Sequence, residues 1–154
     1  ANEEVDWLER VVANHMRIHF LAKREGALPP RSIYRFFRAA GDAGIALCLL
    51  SLADLLATHG PALTRERFEA EIGVCRQLLE AWWEQPGVAV NPPRLVNGDD
   101  LMQALRIPPG PRVGELLEQV RLAQVEGRVS DRVGALAEAR RCLEEQPDGS
   151  GQAA

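Results

Sequence analysis

The sequence predicts an all-α protein, an irregular helical bundle of six to seven helices. Leu and Ala dominate the hydrophobic residues, which make up 46% of the 154 residues, and only 5% of the residues are aromatic. This composition favours helices over sheets. Hydrophobic residues also recur three or four positions apart over most of the chain, as they do on one face of a helix, and no segment shows the alternation of a strand convincingly.

Capping residues, prolines and glycines divide this pattern into separate helices. The predicted helices cover about residues 3–24, 31–39, 42–58, 65–83, 100–105, 111–126 and 131–145. The first carries an apolar stripe of Val5, Leu8, Val11, Val12, Met16 and Phe20. The third is apolar nearly all round, which is typical of a buried central helix. Thr64, Asp99 and Ser130 are the predicted N-caps of the fourth, fifth and last helices. Pro111 occupies the first position of the sixth helix, and Gly127 follows that helix as its C-cap.

A loop rich in proline and glycine, EQPGVAVNPPRLV at residues 84–96, is expected to separate two parts of the chain. Residues 1–86 form the larger helical bundle, and residues 87–146 form a smaller helical part. Residues 147–154 read as a disordered tail.

Charge is distributed unevenly along the sequence. The chain has a net charge of −4 and a pI near 5.4, which taken alone argues against a nucleic-acid-binding protein. However, residues 17–38 contain six basic residues and a single acidic one, Glu25. An acidic protein of this kind can still present one basic surface.

The cysteines and the apolar runs indicate a cytoplasmic protein. Cys48, Cys75 and Cys142 are far apart and lack a nearby Cys or His at the spacing of metal ligands, so we expect reduced thiols. The longest apolar run, residues 45–56, is interrupted by Ser51 and Asp54 and is too short to span a bilayer. The acidic N-terminal residues do not resemble a signal peptide.

Three residues are candidates for a metal site. Asp54 lies on the most apolar helix, where a buried carboxylate needs a partner or a metal. His15 and His19 are four residues apart and could face one metal ion. The alternatives are a hydrogen-bonded Asp54 at the edge of the core and two ordinary histidines.

Basic residues of the second helix are candidates for contacts with phosphate. Arg31, Arg35 and Arg38 share one face of this helix, and arginine binds phosphate in a bidentate manner. A solvated face is an equally good interpretation of the same spacing. Trp82 and Trp83 are better explained as packing residues than as a platform for bases. The turn at residues 108–112 could bind an anion, but Glu115 already complements that helix dipole.

Three stretches together resemble the C-terminal half of bacterial CCA-adding enzymes and poly(A) polymerases that carry an HD domain. These stretches are VANHMRIHFLA, LPPRSIYRFFRAAGDAGIALCLLSLADLLATHG and the segment that begins LVNGDDLMQALRIPPGPRVGELLEQV. The resemblance covers most of the chain, and NGDDLM…PPGPRVGELL is its most specific part. It implies that the proline-glycine junction shapes a turn between two helices of an RNA-holding region.

The resemblance also implies how the work is divided in the whole enzyme. In that family an N-terminal head with two metal-binding carboxylates adds nucleotides to the 3′ end of RNA, and all-helical regions hold the tRNA. This chain has neither a strand-rich head nor an Asp-x-Asp pair. It is therefore expected to be a C-terminal fragment that needs no cofactor itself, with Mg²⁺ in the head of the parent polypeptide.

The HD motif of the family is only partly matched. Asp54 resembles the last metal-ligand aspartate of HD domains, and His15 resembles a histidine of the same set. The adjacent His-Asp dipeptide is absent, so a metal site built on His15 and Asp54 would be incomplete.

Three functional hypotheses follow. The first is a module that holds tRNA or another RNA by its backbone, together with the head of the same polypeptide and without contact to a membrane. Its predicted RNA-binding residues are Arg31, Arg35 and Arg38, with Lys23, Arg94 and Arg112 as lesser candidates. The second is a fragment of an HD-type metal-dependent phosphohydrolase. The third is a helical module that forms a homodimer.

Overall fold

The computed structural model describes residues 2–145, and within these residues the chain is helical without any strand. Seven helices have eight residues or more, and one further helix has five, so the predicted all-α class is confirmed. The chain divides into two compact units, Ala1–Asn91 and Pro92–Ala154. This division lies inside the predicted linker, residues 84–96. The predicted tail, residues 147–154, lies outside the described residues.

The first unit contains five α-helices and one turn of π-helix. The helices are α1 (Glu3–Asn14), α2 (Arg17–Leu21), α3 (Pro30–Ala40), α4 (Gly44–His59) and α5 (Arg65–Glu84), and the π-helical turn is Pro86–Val90. Thr64 caps α5 as predicted, because its side chain accepts a hydrogen bond from the backbone N–H of Arg67 at 3.3 Å. The π-helical turn corrects the prediction that residues 84–96 are irregular throughout.

The predicted first helix, residues 3–24, is broken at His15 and Met16. Side chains next to the break bond to carbonyl groups of the preceding turn. Asn14 Nδ2 donates to the Arg10 carbonyl at 2.7 Å, and His15 Nδ1 lies 2.6 Å from the Val12 carbonyl. These bonds compete with the backbone pattern of a continuous helix.

The core of the first unit gathers residues from α2, α3, α4 and α5. It contains Ile18, Leu28, Phe36, Phe37, Ala40, Leu47, Cys48, Val74, Cys75 and Leu78. The apolar stripe predicted on the first helix is mostly exposed instead: Leu8, Val12 and Phe20 are 55%, 67% and 60% exposed. Ile18, on a different side of α2, is the residue that enters the core.

Helix α4 is buried on one face, not all round as predicted. Leu47, Cys48 and Leu55 are buried, but Leu49 is 66% exposed. The segment Pro30–Ala62 is apolar and long enough to cross a membrane by length and composition. It is interrupted at Gly41, whose φ of 58° ends α3, and Leu47 and Cys48 of α4 belong to the core of the first unit.

Gly44 is held in contact with the aromatic part of this core. A Cβ at this position would lie 2.6 Å from Cε1 of Phe37, whose ring packs against Phe36 and Trp82. We expect Gly44→Ala to lower the free energy of unfolding by about 1–3 kcal/mol through overpacking. Gly73→Ala on α5 is the matched control, since nothing lies within 4 Å of its added Cβ. It should stabilise by about 0.5–1 kcal/mol.

The two glycine variants can be compared by urea unfolding followed by tryptophan fluorescence. The three tryptophans, Trp7, Trp82 and Trp83, all lie in the first unit, so their fluorescence reports that unit alone. Equal stabilities for Gly44→Ala and Gly73→Ala would contradict the packing argument.

The second unit contains α6 (Gly98–Leu105), α7 (Pro111–Val125) and α8 (Arg132–Glu145). Its core comprises Val96, Leu101, Val113, Leu116, Val120, Ala123, Val129, Ala135 and Ala139. Two predicted caps are wrong by a few residues. Asn97, not Asp99, caps α6, in a capping box with Asp100. Before α8, the side chain of Asp131, not that of Ser130, accepts from the N–H of Gly134 at 2.7 Å.

The proline-rich junction between α6 and α7 determines where the two helices end and begin. Arg106 ends α6 in the left-handed conformation, with φ 55° and ψ 42°. Pro111 then begins α7 at the position where the missing N–H of proline breaks no helical hydrogen bond. The junction therefore stops one helix and starts the next.

Glu138 pairs with two arginines, Arg128 in the loop before α8 and Arg141 on α8 itself. Its carboxylate lies 2.6 Å from Arg128 and 2.7 Å from Arg141. Hydrogen bonds from Arg141 and Arg128 lower the pKa of Glu138 to about 2, against an opposing effect of burial. Because the folded-state pKa is depressed, this group stabilises the fold above its unfolded pKa of 4.5, and the stabilisation is lost as the pH falls towards 2.

Glu138→Gln is therefore expected to flatten the acid side of the stability curve between pH 4.5 and pH 2. Thermal unfolding followed by far-ultraviolet circular dichroism would measure the change, with tryptophan fluorescence as an internal reference for the first unit. Glu144→Gln, at an exposed position of the same helix, is the control. The same flattening in both variants would show that the ion pairs of Glu138 are not its cause.

Candidate nucleic-acid interface

Helix α3 presents arginines on one side and buried aromatic residues on the other. Arg31, Arg35 and Arg38 are exposed. Phe36 and Phe37, on the opposite side, are 1% and 4% exposed. The core therefore fixes the rotation of α3 and directs the three arginines outwards, as the sequence predicted. Tyr34, which sequence reasoning overlooked, is also buried on this helix.

A neighbouring arginine extends this basic surface. Arg17, at the start of α2, donates from Nη1 to the backbone carbonyl of Arg35 at 3.1 Å. Lys23 and Arg24 follow α2 and are exposed. We call these six residues, Arg17, Lys23, Arg24, Arg31, Arg35 and Arg38, the basic surface.

In the described part of the chain, three arginines of the basic surface lack the acidic partners that two arginines of α5 have. Arg65 and Arg76 on α5 each pair with a glutamate four residues later, at 2.6 and 3.6 Å. Within residues 2–145, in contrast, Arg17, Arg24 and Arg35 form no ion pair with an acidic residue. Their charge is therefore available to an external anion.

The remaining predicted RNA-binding residues lie in the second unit. Arg94 is exposed in the segment before α6. Arg112, in contrast, is engaged within its unit: it donates to Glu115 at 2.9 Å and to the Cys142 carbonyl at 3.4 Å, and its side chain is only 22% exposed. These contacts assign Arg112 a structural role in joining α7 to α8, and its contact with RNA stays a prediction.

His15 and Asp54, the predicted metal residues, have different partners. His15 is exposed and bonds to the Val12 carbonyl, whereas Asp54 Oδ2 lies 3.3 Å from Nε2 of His19. The other ring nitrogen of His19, Nδ1, lies 2.6 Å from Glu71. The structure thus pairs Asp54 with the second of the two histidines considered.

His19 belongs to a chain of four polar residues, which we call the polar relay: Asp54, His19, Glu71 and Ser51. Glu71 is 3% exposed and Ser51 is 1% exposed, and the Ser51 hydroxyl donates to the Glu71 carboxylate. Each ring nitrogen of His19 thus faces one carboxylate.

The polar relay does not provide a metal site. Among residues 2–145, no group of three or more His, Cys, Asp or Glu side chains is placed to hold a metal ion. The two ring nitrogens of His19 already face carboxylates. Asp54 is 53% exposed, so it lies at the edge of the core and not within it. No step of the function proposed below depends on a metal in this part of the chain.

Comparison with known proteins finds similarity to one family. The family described as "tRNA nucleotidyltransferase domain 2 putative" matches residues 77–139. An A-adding tRNA nucleotidyltransferase of Deinococcus radiodurans is 37% identical over 101 residues, which is 66% of this chain and 23% of that protein. These matches show that the chain is similar to tRNA nucleotidyltransferases over part of its length.

A second relative is named for a different activity. A CC-adding tRNA nucleotidyltransferase of Synechocystis sp. is 40% identical over 64 residues, covering 42% of this chain and 15% of that protein. The chain thus spans less than a quarter of the length of either tRNA nucleotidyltransferase. No solved structure matches it significantly.

Proposed function

We propose that this chain is an RNA-holding part of a cytoplasmic tRNA nucleotidyltransferase, which binds tRNA by its phosphate backbone and does not transfer nucleotides by itself. One observation carries the proposal: α3 turns Arg31, Arg35 and Arg38 outwards from an aromatic core, and Arg17 is bonded to the same helix. The similarity to tRNA nucleotidyltransferases suggests tRNA as the RNA that this surface binds.

Arginines on a rigid helix suit a backbone-holding role. Each guanidinium offers planar donors that match the oxygens of a phosphate. Contacts of this kind fix the position of a nucleic acid without reading its sequence. The net charge of −4 then has a function, since acidic surfaces elsewhere on the chain would repel RNA and favour one orientation of binding.

The two relatives are named for different reactions, which supports a separation between holding the RNA and adding nucleotides. One relative is named for adding A and the other for adding CC. A surface that holds the backbone of tRNA would serve either reaction. We therefore place nucleotide selection and its Mg²⁺-dependent chemistry in another part of the polypeptide, for which the relatives have ample length.

The test is the binding of a fluorescently labelled tRNA that lacks its CCA end, measured by anisotropy at 50 and 200 mM salt. If about three phosphates are neutralised, affinity should fall by about 15- to 40-fold over this range, because each contact releases condensed counterions. Absence of binding at 50 mM salt, or binding that does not change with salt, would contradict the proposal.

A further inference from the structure

A shallow groove beside the basic surface combines positive charge with an exposed aromatic ring. The groove has a volume of about 340 Å³ and lies between residues 17–24 and α3. Arg17, Arg24 and Arg35 line it, together with the hydroxyl-bearing Ser32 and the ring of Phe20. We call this feature the Phe20 groove.

Phe20 is placed unusually for a large apolar residue. Its side chain is 60% exposed, although Ile18, two residues earlier, is completely buried. The ammonium group of Lys23 lies 5.1 Å from the centre of the Phe20 ring. A ring surrounded by cations would not suit an apolar protein surface, because docking there would bury the charges without partners.

The chemistry of the groove matches a nucleotide. A nucleobase stacks on an aromatic ring through its flat face, and the phosphates on either side carry the negative charge that arginine binds. A paired base in a duplex has both faces covered by its neighbours, so only an unpaired base can reach Phe20 in this way.

We propose that the Phe20 groove binds an unpaired nucleotide of RNA. The base stacks on Phe20, and Arg17, Arg24 and Arg35 hold the adjacent phosphates. This inference rests on the proposed function and adds to it a preference for single-stranded over double-stranded RNA at this site.

The experiment uses a single-stranded RNA of about eight nucleotides, with 2-aminopurine near its centre, and a duplex of the same length. Stacking on Phe20 should quench the 2-aminopurine fluorescence when the chain is added. Phe20→Ala should remove this quenching and weaken single-strand binding by about 5- to 100-fold, with little effect on the duplex. Phe20→Trp, which keeps a stacking surface, should retain both the quenching and the affinity.

Two controls make the result decisive. Leu8→Ala removes another exposed apolar side chain of the first unit, outside the groove, and should bind both RNAs like the wild type. Phe20→Leu keeps an apolar side chain but no ring, so it should behave like Phe20→Ala. Unchanged quenching and affinity in Phe20→Ala would overturn the inference. Wild-type quenching and affinity in Phe20→Leu would overturn it as well.

The outcomes also separate this inference from the proposed function. If the tRNA binds with the expected salt dependence but Phe20→Ala binds the single strand normally, only the stacking site is wrong. If neither tRNA nor the single strand binds at low salt, the proposed function itself fails, and the groove proposal fails with it.

Discussion

Replacing His19 with alanine is expected to lower the free energy of unfolding of the first unit by about 3–5 kcal/mol. The variant leaves Glu71, which is 3% exposed, without the imidazole that lies 2.6 Å from its carboxylate. The Ser51 hydroxyl remains as a hydrogen-bond donor, but it leaves the contact that His19 made to the buried carboxylate without a replacement. Equilibrium unfolding in urea, followed by tryptophan fluorescence, would measure the loss.

The chain offers a matched control for this variant. His15 lies one turn before His19, is exposed and bonds only to a backbone carbonyl in the described structure, so His15→Ala should change stability by less than about 0.5 kcal/mol. His19→Ala should also lower the free energy of unfolding much less in a Glu71→Gln background, because the carboxylate that His19 contacts is then already absent. Equal losses in both backgrounds would show that the two side chains do not interact.

The contacts within the polar relay could not be predicted from the sequence. Asp54 lies at the edge of the core, as one of the two interpretations held, and its side chain is 53% exposed. Its partner His19 lies on another helix, far away in the sequence, and so does Glu71, the second partner of His19. Nothing in the sequence indicates that Glu71 is buried, because a glutamate in a helix rich in charged residues is expected to face solvent. Only the packing of α2 and α4 against α5 reveals that it is buried.

Local rules, in contrast, succeeded wherever short-range physics decides the structure. Thr64 and Pro111 begin their helices as predicted, since capping and proline geometry depend on neighbouring residues. The two-faced nature of α3 followed from spacing alone, which placed the arginines opposite the phenylalanines.

The apolar stripe of the first predicted helix marks the limit of such reasoning. Spacing showed correctly that Leu8, Val12 and Phe20 share a pattern, but not that they are exposed. Periodicity identifies a face without identifying what covers it. The sequence shows basic residues on either side of Phe20. It does not show that the packing of α2 against α3 brings arginines of both helices to the same groove as the Phe20 ring.

The largest functional effect is expected from reversing the charge of α3. Replacing Arg31, Arg35 and Arg38 together with glutamate should weaken tRNA binding by about a hundredfold or more at 50 mM salt, because three attractive phosphate contacts become repulsive. The helix should persist, since glutamate favours helix about as well as arginine and the core face is unchanged. Anisotropy with the labelled tRNA would measure the affinity, and circular dichroism would verify the fold.

A control with the same change in net charge distinguishes a local site from a general charge effect. Arg65, Arg67 and Arg76 are exposed on α5, and their replacement with glutamate adds the same negative charge away from the basic surface. If phosphate binds on α3, this variant should lose far less affinity, and its salt dependence should stay like that of the wild type, whereas the α3 variant should lose most of its salt dependence. Equal losses in the two variants would mean that overall charge governs binding and that α3 is not the site.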